Sequence, residues 1–176
     1  MVKSMKVSYE LDEHPINKKV FTTLWACPRQ LTRTWGCPTI LDRLNDFMGR
    51  KPDAYFGLTD GVSDGKGITI DIESQNKPTI VADWNYLPFR DNTFDYTFWD
   101  PPYDHRYDKG LKEILRVTNR TIAILHQLVY PNPRGWGKRA IIGITTGPNT
   151  RARVLQIYER LKTLEEYQQP YGEAKI

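Results

Sequence analysis

Ile80-Val81-Ala82-Asp83-Trp84-Asn85-Tyr86-Leu87-Pro88-Phe89-Arg90-Asp91-Asn92-Thr93-Phe94-Asp95-Tyr96-Thr97-Phe98-Trp99-Asp100-Pro101-Pro102-Tyr103 reads as a short strand, a polar excursion, and a second, apolar strand that two prolines stop. Proline fixes φ and has no N–H to donate, so the strand cannot run past Trp99-Asp100, and the carbonyls of Asp100 and Pro101 are expected to face outward as acceptors. Asp100 adds a carboxylate and Tyr103 a flat ring. Together they suit a planar group carrying an exocyclic amine: acceptors for its N–H bonds and an aromatic face to stack on.

The same punctuation continues on both sides of this stretch. Gly67 to Ile72 is short and β-branched and ends in the acids Asp71 and Glu73. A polar turn over Ser74 to Pro78 leads to a strand at Thr79 to Ala82. Downstream, Leu111, Ile114, Leu115 and Val117 give Asp108 to Thr118 a helical apolar face, with Asp108 as its expected N-cap. Thr121 to Leu128 and Lys138 to Thr146 read as strands around a Pro- and Gly-rich loop, Tyr130 to Gly137. Arg153 to Leu161 fits either strand or helix by its period. Strands alternating with short helical segments predict a parallel α/β sheet, in which ligands bind beyond the carboxyl ends of the strands. Asp71, Asp83 and Asp100 all fall at such ends. Clustered carboxylates repel one another, so three on one rim are better explained by a polar ligand than by folding.

In these residues the chain resembles the class I S-adenosylmethionine-dependent methyltransferases, and among them the amino-methyltransferases that carry Asp-Pro-Pro-Tyr. The resemblance rests on Asp100-Pro101-Pro102-Tyr103 and on the run from Asp83 through Leu87-Pro88-Phe89 and Asp91-Asn92 to Phe94-Asp95, and it covers roughly residues 54 to 160. It implies a compact Rossmann-like α/β sheet ending in an antiparallel hairpin, which tips Arg153 to Leu161 toward strand. S-adenosylmethionine is the implied cofactor. Asp71, with Glu73 as a close rival, matches the acid that receives the ribose hydroxyls. Asp83 matches the acid that receives the adenine amine, and Trp84 beside it is placed to stack on the purine or to cover the sheet edge. Asp100, Pro101 and Tyr103 become the catalytic lip for an exocyclic amine, adenine N6 in DNA before other bases.

One segment departs from that family's pattern. The glycine-rich turn after the first strand matches Ala54 to Gly61, which makes Gly57, Asp60 and Gly61 the candidate ligands for the cofactor's methionine end. Only six residues separate Gly61 from Ile68. A helical crossover takes about a dozen residues or more, so the first helix is expected to be reduced. For the substrate, His105 and Arg106 follow the lip directly, and Arg134, Trp136 and Lys138 form a basic and aromatic loop expected on the same rim.

The 176 residues fit one compact domain of 51–176 with an N-terminal extension or cap at 1–50, itself basic and aromatic through Lys18, Lys19, Trp25, Arg29, Arg33 and Trp35. No apolar stretch reaches membrane-spanning length and the first residues lack a signal peptide's apolar core, so a cytoplasmic protein without a membrane partner is expected. Cys27 and Cys37 match no zinc spacing, and no metal site is expected. A net charge of +4 agrees with a nucleic-acid partner, DNA before RNA, without requiring one. Other readings stay open: guanine N2 or adenine N6 in RNA, a protein glutamine amide, a small molecule, or a cofactor-binding subunit without turnover. The oligomeric state is also open, a homodimer included.

Overall fold

The computed structural model describes residues 9–10, 20–27, 38–57, 67–101, 107–146 and 152–162. The described strands are β1 (Tyr9–Glu10), β2 (Phe21–Cys27), β3 (Ala54–Phe56), β4 (Ile68–Asp71), β5 (Ile80–Val81), β6 (Phe94–Trp99), β7 (Thr118–His126), β8 (Trp136–Thr146) and β9 (Arg153–Arg160). They form one mixed sheet in the order β1-β2-β8-β9-β7-β6-β3-β4-β5. Among the described residues, two α-helices accompany it, α1 (Pro38–Met48) and α2 (Tyr107–Val117), with a short 3-10 turn at Ser74–Asn76.

Strands β5, β4, β3, β6 and β7 are parallel neighbours. β9 enters between β7 and β8 and is antiparallel to both, which makes β8–β9 the expected terminal hairpin. The fold is therefore the Rossmann-like α/β sheet that the resemblance implies. The chain steps outward from β3 through β4 to β5, then returns to place β6 on the other side of β3. That reversal between β3 and β6 leaves a crevice beyond their carboxyl ends. At the far edge β2 lies parallel to β8 in an unbroken register from Phe21↔Ala140 to Cys27↔Thr146.

Burial alternates with the strand period and builds a core on each face. On one face Tyr96 and Phe98 meet Ile40, Leu41 and Leu44 of α1. On the other, Phe56 and Trp99 meet Ile114 and Val117 of α2. The two faces are joined through the sheet by β6, which is apolar nearly throughout because it is covered on both sides.

α2 joins β6 to β7, while β3 reaches its parallel neighbour β4 within residues 57–67. The β7–β8 connection is extended and pinned by side chains. The buried Gln156 accepts from the Tyr130 N–H through Oε1 (2.7 Å) and donates from Nε2 to the Leu128 carbonyl (2.9 Å). Lys138 Nζ donates to the Tyr130 carbonyl at 2.6 Å. The excursion 87–91 is fastened to α2 by Arg116, which donates to the carbonyls of Phe89 (2.8 Å) and Leu87 (3.1 Å) and to the carboxylates of Asp91 and Glu113 (each 2.8 Å). Glu113 Oε2 accepts the Leu87 N–H at 2.9 Å. The Arg116 hydrogen bond holds the Glu113 carboxyl below its usual range. Asp108 lies one residue inside α2, whose first residue is Tyr107, rather than at its cap.

Candidate active site at the carboxyl edge of the sheet

Four consecutive parallel strands deliver their last residues to one rim: Asp100 after β6, Gly57 after β3, Asp71 ending β4, and Asp83 shortly after β5. Backbone hydrogen bonds fix these exits to one another. Asp100 N donates to the Phe56 carbonyl (3.1 Å), Gly57 N to that of Ile70 (3.0 Å), and Ala82 N to that of Asp71 (3.0 Å). The three acids predicted to share a rim therefore do so, with the β3/β6 reversal between Asp100 and the other two.

Gly57 is the tightest point. Its φ is +78°, and a Cβ built on it would stand 2.5 Å from the Asp100 carbonyl oxygen and 3.7 Å from the Trp84 ring. No L side chain fits there, so the backbone itself lines the crevice. This corrects one expectation: the Asp100 carbonyl packs against Gly57 instead of facing outward, which leaves the Asp100 carboxylate and the Pro101 carbonyl as the acceptors of the lip. Pro101 is buried. The half-buried Trp84 runs from Gly57 to α2, where a Cβ on Gly110 would stand 2.9 Å from its ring and 3.0 Å from Trp99. It thus packs between the end of β3 and α2, at the crevice.

The carboxylates differ in how much of their capacity is already used. Asp71, 7% exposed, accepts the Glu73 N–H on Oδ1 (2.8 Å) and the Asn76 amide on Oδ2 (3.0 Å), which closes the turn over Ser74–Asn76. Each oxygen retains a lone pair, and Glu73 is exposed beside it. Asp83 accepts both the Asn85 N–H and the Asn85 side-chain amide on Oδ1, each at 2.8 Å. Its Oδ2 takes no donor among the described residues.

Asp100 faces a cation that the sequence reading assigned no role. Arg153 opens β9, and its guanidinium lies 3.9 Å from Asp100 Oδ2, the two side chains being 18% and 12% exposed. β9 runs against its neighbours, so its first residue reaches the rim where theirs end. Between them His126 ends β7; its Nδ1 accepts the Leu128 N–H at 3.0 Å, and burial pushes its pKa down. The orphan signal in the sequence was Arg153 itself, an arginine opening a terminal strand, legible only once that strand is known to be antiparallel.

Arg134, Trp136 and Lys138 are not on this rim. Trp136 opens β8, which runs parallel to β7, so it sits at the opposite end of the sheet, paired with Arg160 at the start of the β8–β9 ladder. Trp136 is buried beneath the Arg160 guanidinium, 4.7 Å from its ring centroid, and Lys138 is half-buried over Tyr158. The expectation failed because the connection from His126 travels the full height of the sheet before β8 begins. Asp60, Gly61, Tyr103, His105 and Arg106 lie outside the described residues, as does Cys37. Cys27 is buried at the end of β2, and among the described residues no cluster of three metal-ligating side chains occurs. No helix of the described residues is long and apolar enough to cross a membrane.

No family model and no curated protein matches the chain. Solved structures do resemble it in fold. PH0226 from Pyrococcus horikoshii OT3 superposes with a TM-score of 0.51 at 16% identity, covering 69% of this chain and 88% of that one. TrmN from Thermus thermophilus gives 0.54 at 15% identity over 73% of this chain, which spans 50% of TrmN. YhhF from Escherichia coli, named for a proposed methyltransferase activity, gives 0.52 at 8% identity, covering 84% and 94%.

Proposed function

We propose that this chain is an S-adenosylmethionine-dependent methyltransferase that methylates an exocyclic amine of a nucleic-acid base, adenine N6 in DNA first and an RNA base second. The observation that carries the reading is the seating of Asp100-Pro101 at the β3/β6 reversal, backbone to backbone with Gly57, in one row with Asp71 and Asp83. The likeness in fold to YhhF, and the name that protein bears, support it.

The residues present fit the cofactor. Beside the Gly57 backbone, the Asp83 Oδ2 and the Asp71 lone pairs supply acceptors for an amine and a diol. When bound, S-adenosylmethionine supplies a methyl group activated by its sulfonium. Asp71 or the exposed Glu73 receives the ribose hydroxyls, Asp83 the adenine amine, and Trp84 the purine's face or edge. The target's amine nitrogen is a poor nucleophile because its lone pair is delocalised into the ring. The Asp100 carboxylate and the Pro101 carbonyl accept its two N–H bonds, which favours a pyramidal nitrogen and aims the lone pair along the line of transfer. Positioning of this kind supplies most of the acceleration in an in-line displacement. Tyr103 stacks on the base, and His105 and Arg106 contact its phosphates.

The test is transfer of labelled methyl from S-adenosylmethionine into separate DNA, RNA and protein pools. Label in a nucleic-acid base amine supports the reading. Label confined to protein glutamine would replace the substrate, and a chain that neither binds the cofactor nor transfers label would contradict the whole.

A further inference from the structure

The rim carries three carboxylates, and one of them, Asp100, is 12% exposed beside the apolar Trp99 and Pro101. A carboxylate withdrawn from water in this way is costly unless a cation stands beside it. The site therefore needs a fixed positive charge next to Asp100 that does not itself occupy the amine's position.

Arg153 meets that description. It approaches from β9, across β7, on the side of Asp100 away from Gly57 and the β3 exit. Its Nη1 stands 3.9 Å from Oδ2, inside ion-pair range and longer than a hydrogen bond. At that distance the two charges balance. Arginine also keeps its proton at any working pH. Among the described residues the other titratable groups brought to this rim are His126 at the end of β7, its pKa pushed down by burial, and the acids Asp71 and Asp83 from β4 and the exit of β5. β3 contributes only Gly57. Arg153 is thus the cation, among the described residues, that faces Asp100.

We propose that Arg153 is a positioning residue of this site, holding Asp100 ionised and oriented as the acceptor of the amine that is methylated. The inference rests on the reading of Asp100 given above. The nitrogen gains the methyl group, the carbon–sulfur bond breaks with its electron pair leaving on sulfur, and the nitrogen's surplus proton departs to water at the rim. Asp100 then acts as an acceptor throughout and not as the final base.

The experiment compares wild type, Arg153→Met, Arg153→Lys, Asp100→Asn and the double variant Asp100→Asn/Arg153→Met. For each, kcat is measured against pH on the nucleic-acid or protein pool that the wild type labels, with cofactor affinity and melting temperature alongside. Arg153→Met should lower kcat at neutral pH by about 10- to 100-fold, the scale of a displaced reacting group. Its acid limb should move to higher pH, cofactor affinity should stay within a few-fold, and Arg153→Lys should recover most of the loss. In the Asp100→Asn background the Met substitution should cost little more. An Arg153→Met effect of equal size in both backgrounds, or a folded Arg153→Met with unchanged kcat and pH profile, would overturn the proposal. If Arg153→Met fails to fold, Arg153→Gln takes its place: kcat lowered with the acid limb moved to higher pH supports the proposal, and a folded Arg153→Gln with kcat and pH profile unchanged overturns it. A wild type that transfers no methyl group would instead sink the functional reading on which the proposal stands.

Discussion

Gly57 and Asp100 meet with no room for a side chain between them: a Cβ on Gly57 would lie 2.5 Å from the Asp100 carbonyl oxygen, and the Gly57 φ is +78°. The end of β3 and the end of β6 are thereby locked at the point where the strand order reverses. Gly57→Ala must either clash with backbone or leave the left-handed region, at a cost of about 1–3 kcal/mol. The urea midpoint should fall accordingly with an unchanged slope, and cofactor affinity should fall with it. An alanine variant of wild-type stability and affinity would mean that the two exits are not held as described.

Asp83→Ala should weaken S-adenosylmethionine binding by about 1–3 kcal/mol, the scale of one unpaired polar group, with little loss of stability. Asp83 makes only a local turn with Asn85. Asp71→Ala should reduce both affinity and stability, because its two oxygens also hold Glu73 N and Asn76. Calorimetry and thermal melts on both variants separate the two cases, and affinity indifferent to either substitution would refute the assigned cofactor site.

Arg116→Met should destabilise the fold by about 2 kcal/mol, since it leaves two carbonyls, Leu87 and Phe89, and the carboxylate of Glu113 without their donor. The denaturation midpoint reads this directly. The segment 87–91 should also exchange its amide protons faster in the variant.

Stability should fall in acid in two stages. The folded His126 is depressed below its ordinary 6.5 by burial, so the unfolded chain takes the proton first and stability drops as pH falls below that value. Glu113 is depressed below its ordinary 4.5, chiefly by the Arg116 hydrogen bond, so its contribution is complete above that value and lost as pH falls further. His126→Asn keeps an acceptor for the Leu128 N–H without titrating and should remove the first stage alone. Melting temperatures measured against pH check both.

The sheet could be read from the chain because its signals are local. β6 was legible from Phe94 to Trp99 because two prolines stop it, and α2 was legible from the spacing of Leu111, Ile114, Leu115 and Val117. The row of Asp71, Asp83 and Asp100 followed from strand ends in a parallel sheet. What escaped were relations set by direction and not by pattern. Arg153 reaches Asp100 because β9 runs backwards, and Trp136 and Lys138 leave the rim because the connection from β7 descends the whole sheet before β8 starts. The period of Arg153 to Leu161 fits strand and helix alike; the resemblance tips it toward strand, and its antiparallel pairing with β7 and β8 agrees. The Arg116 and Gln156 clamps were hidden for a similar reason: their partners are backbone groups, which every residue has, so nothing in the sequence marks them.

The most direct test of the account is Asp100→Ala, followed by both methyl transfer and cofactor affinity. Asp100 is assigned to the reacting amine and not to the cofactor, so the variant should lose turnover while S-adenosylmethionine affinity stays within a few-fold of wild type. Loss of cofactor affinity together with activity would make Asp100 a cofactor ligand, and full activity in the variant would contradict the lip as the place of methyl transfer.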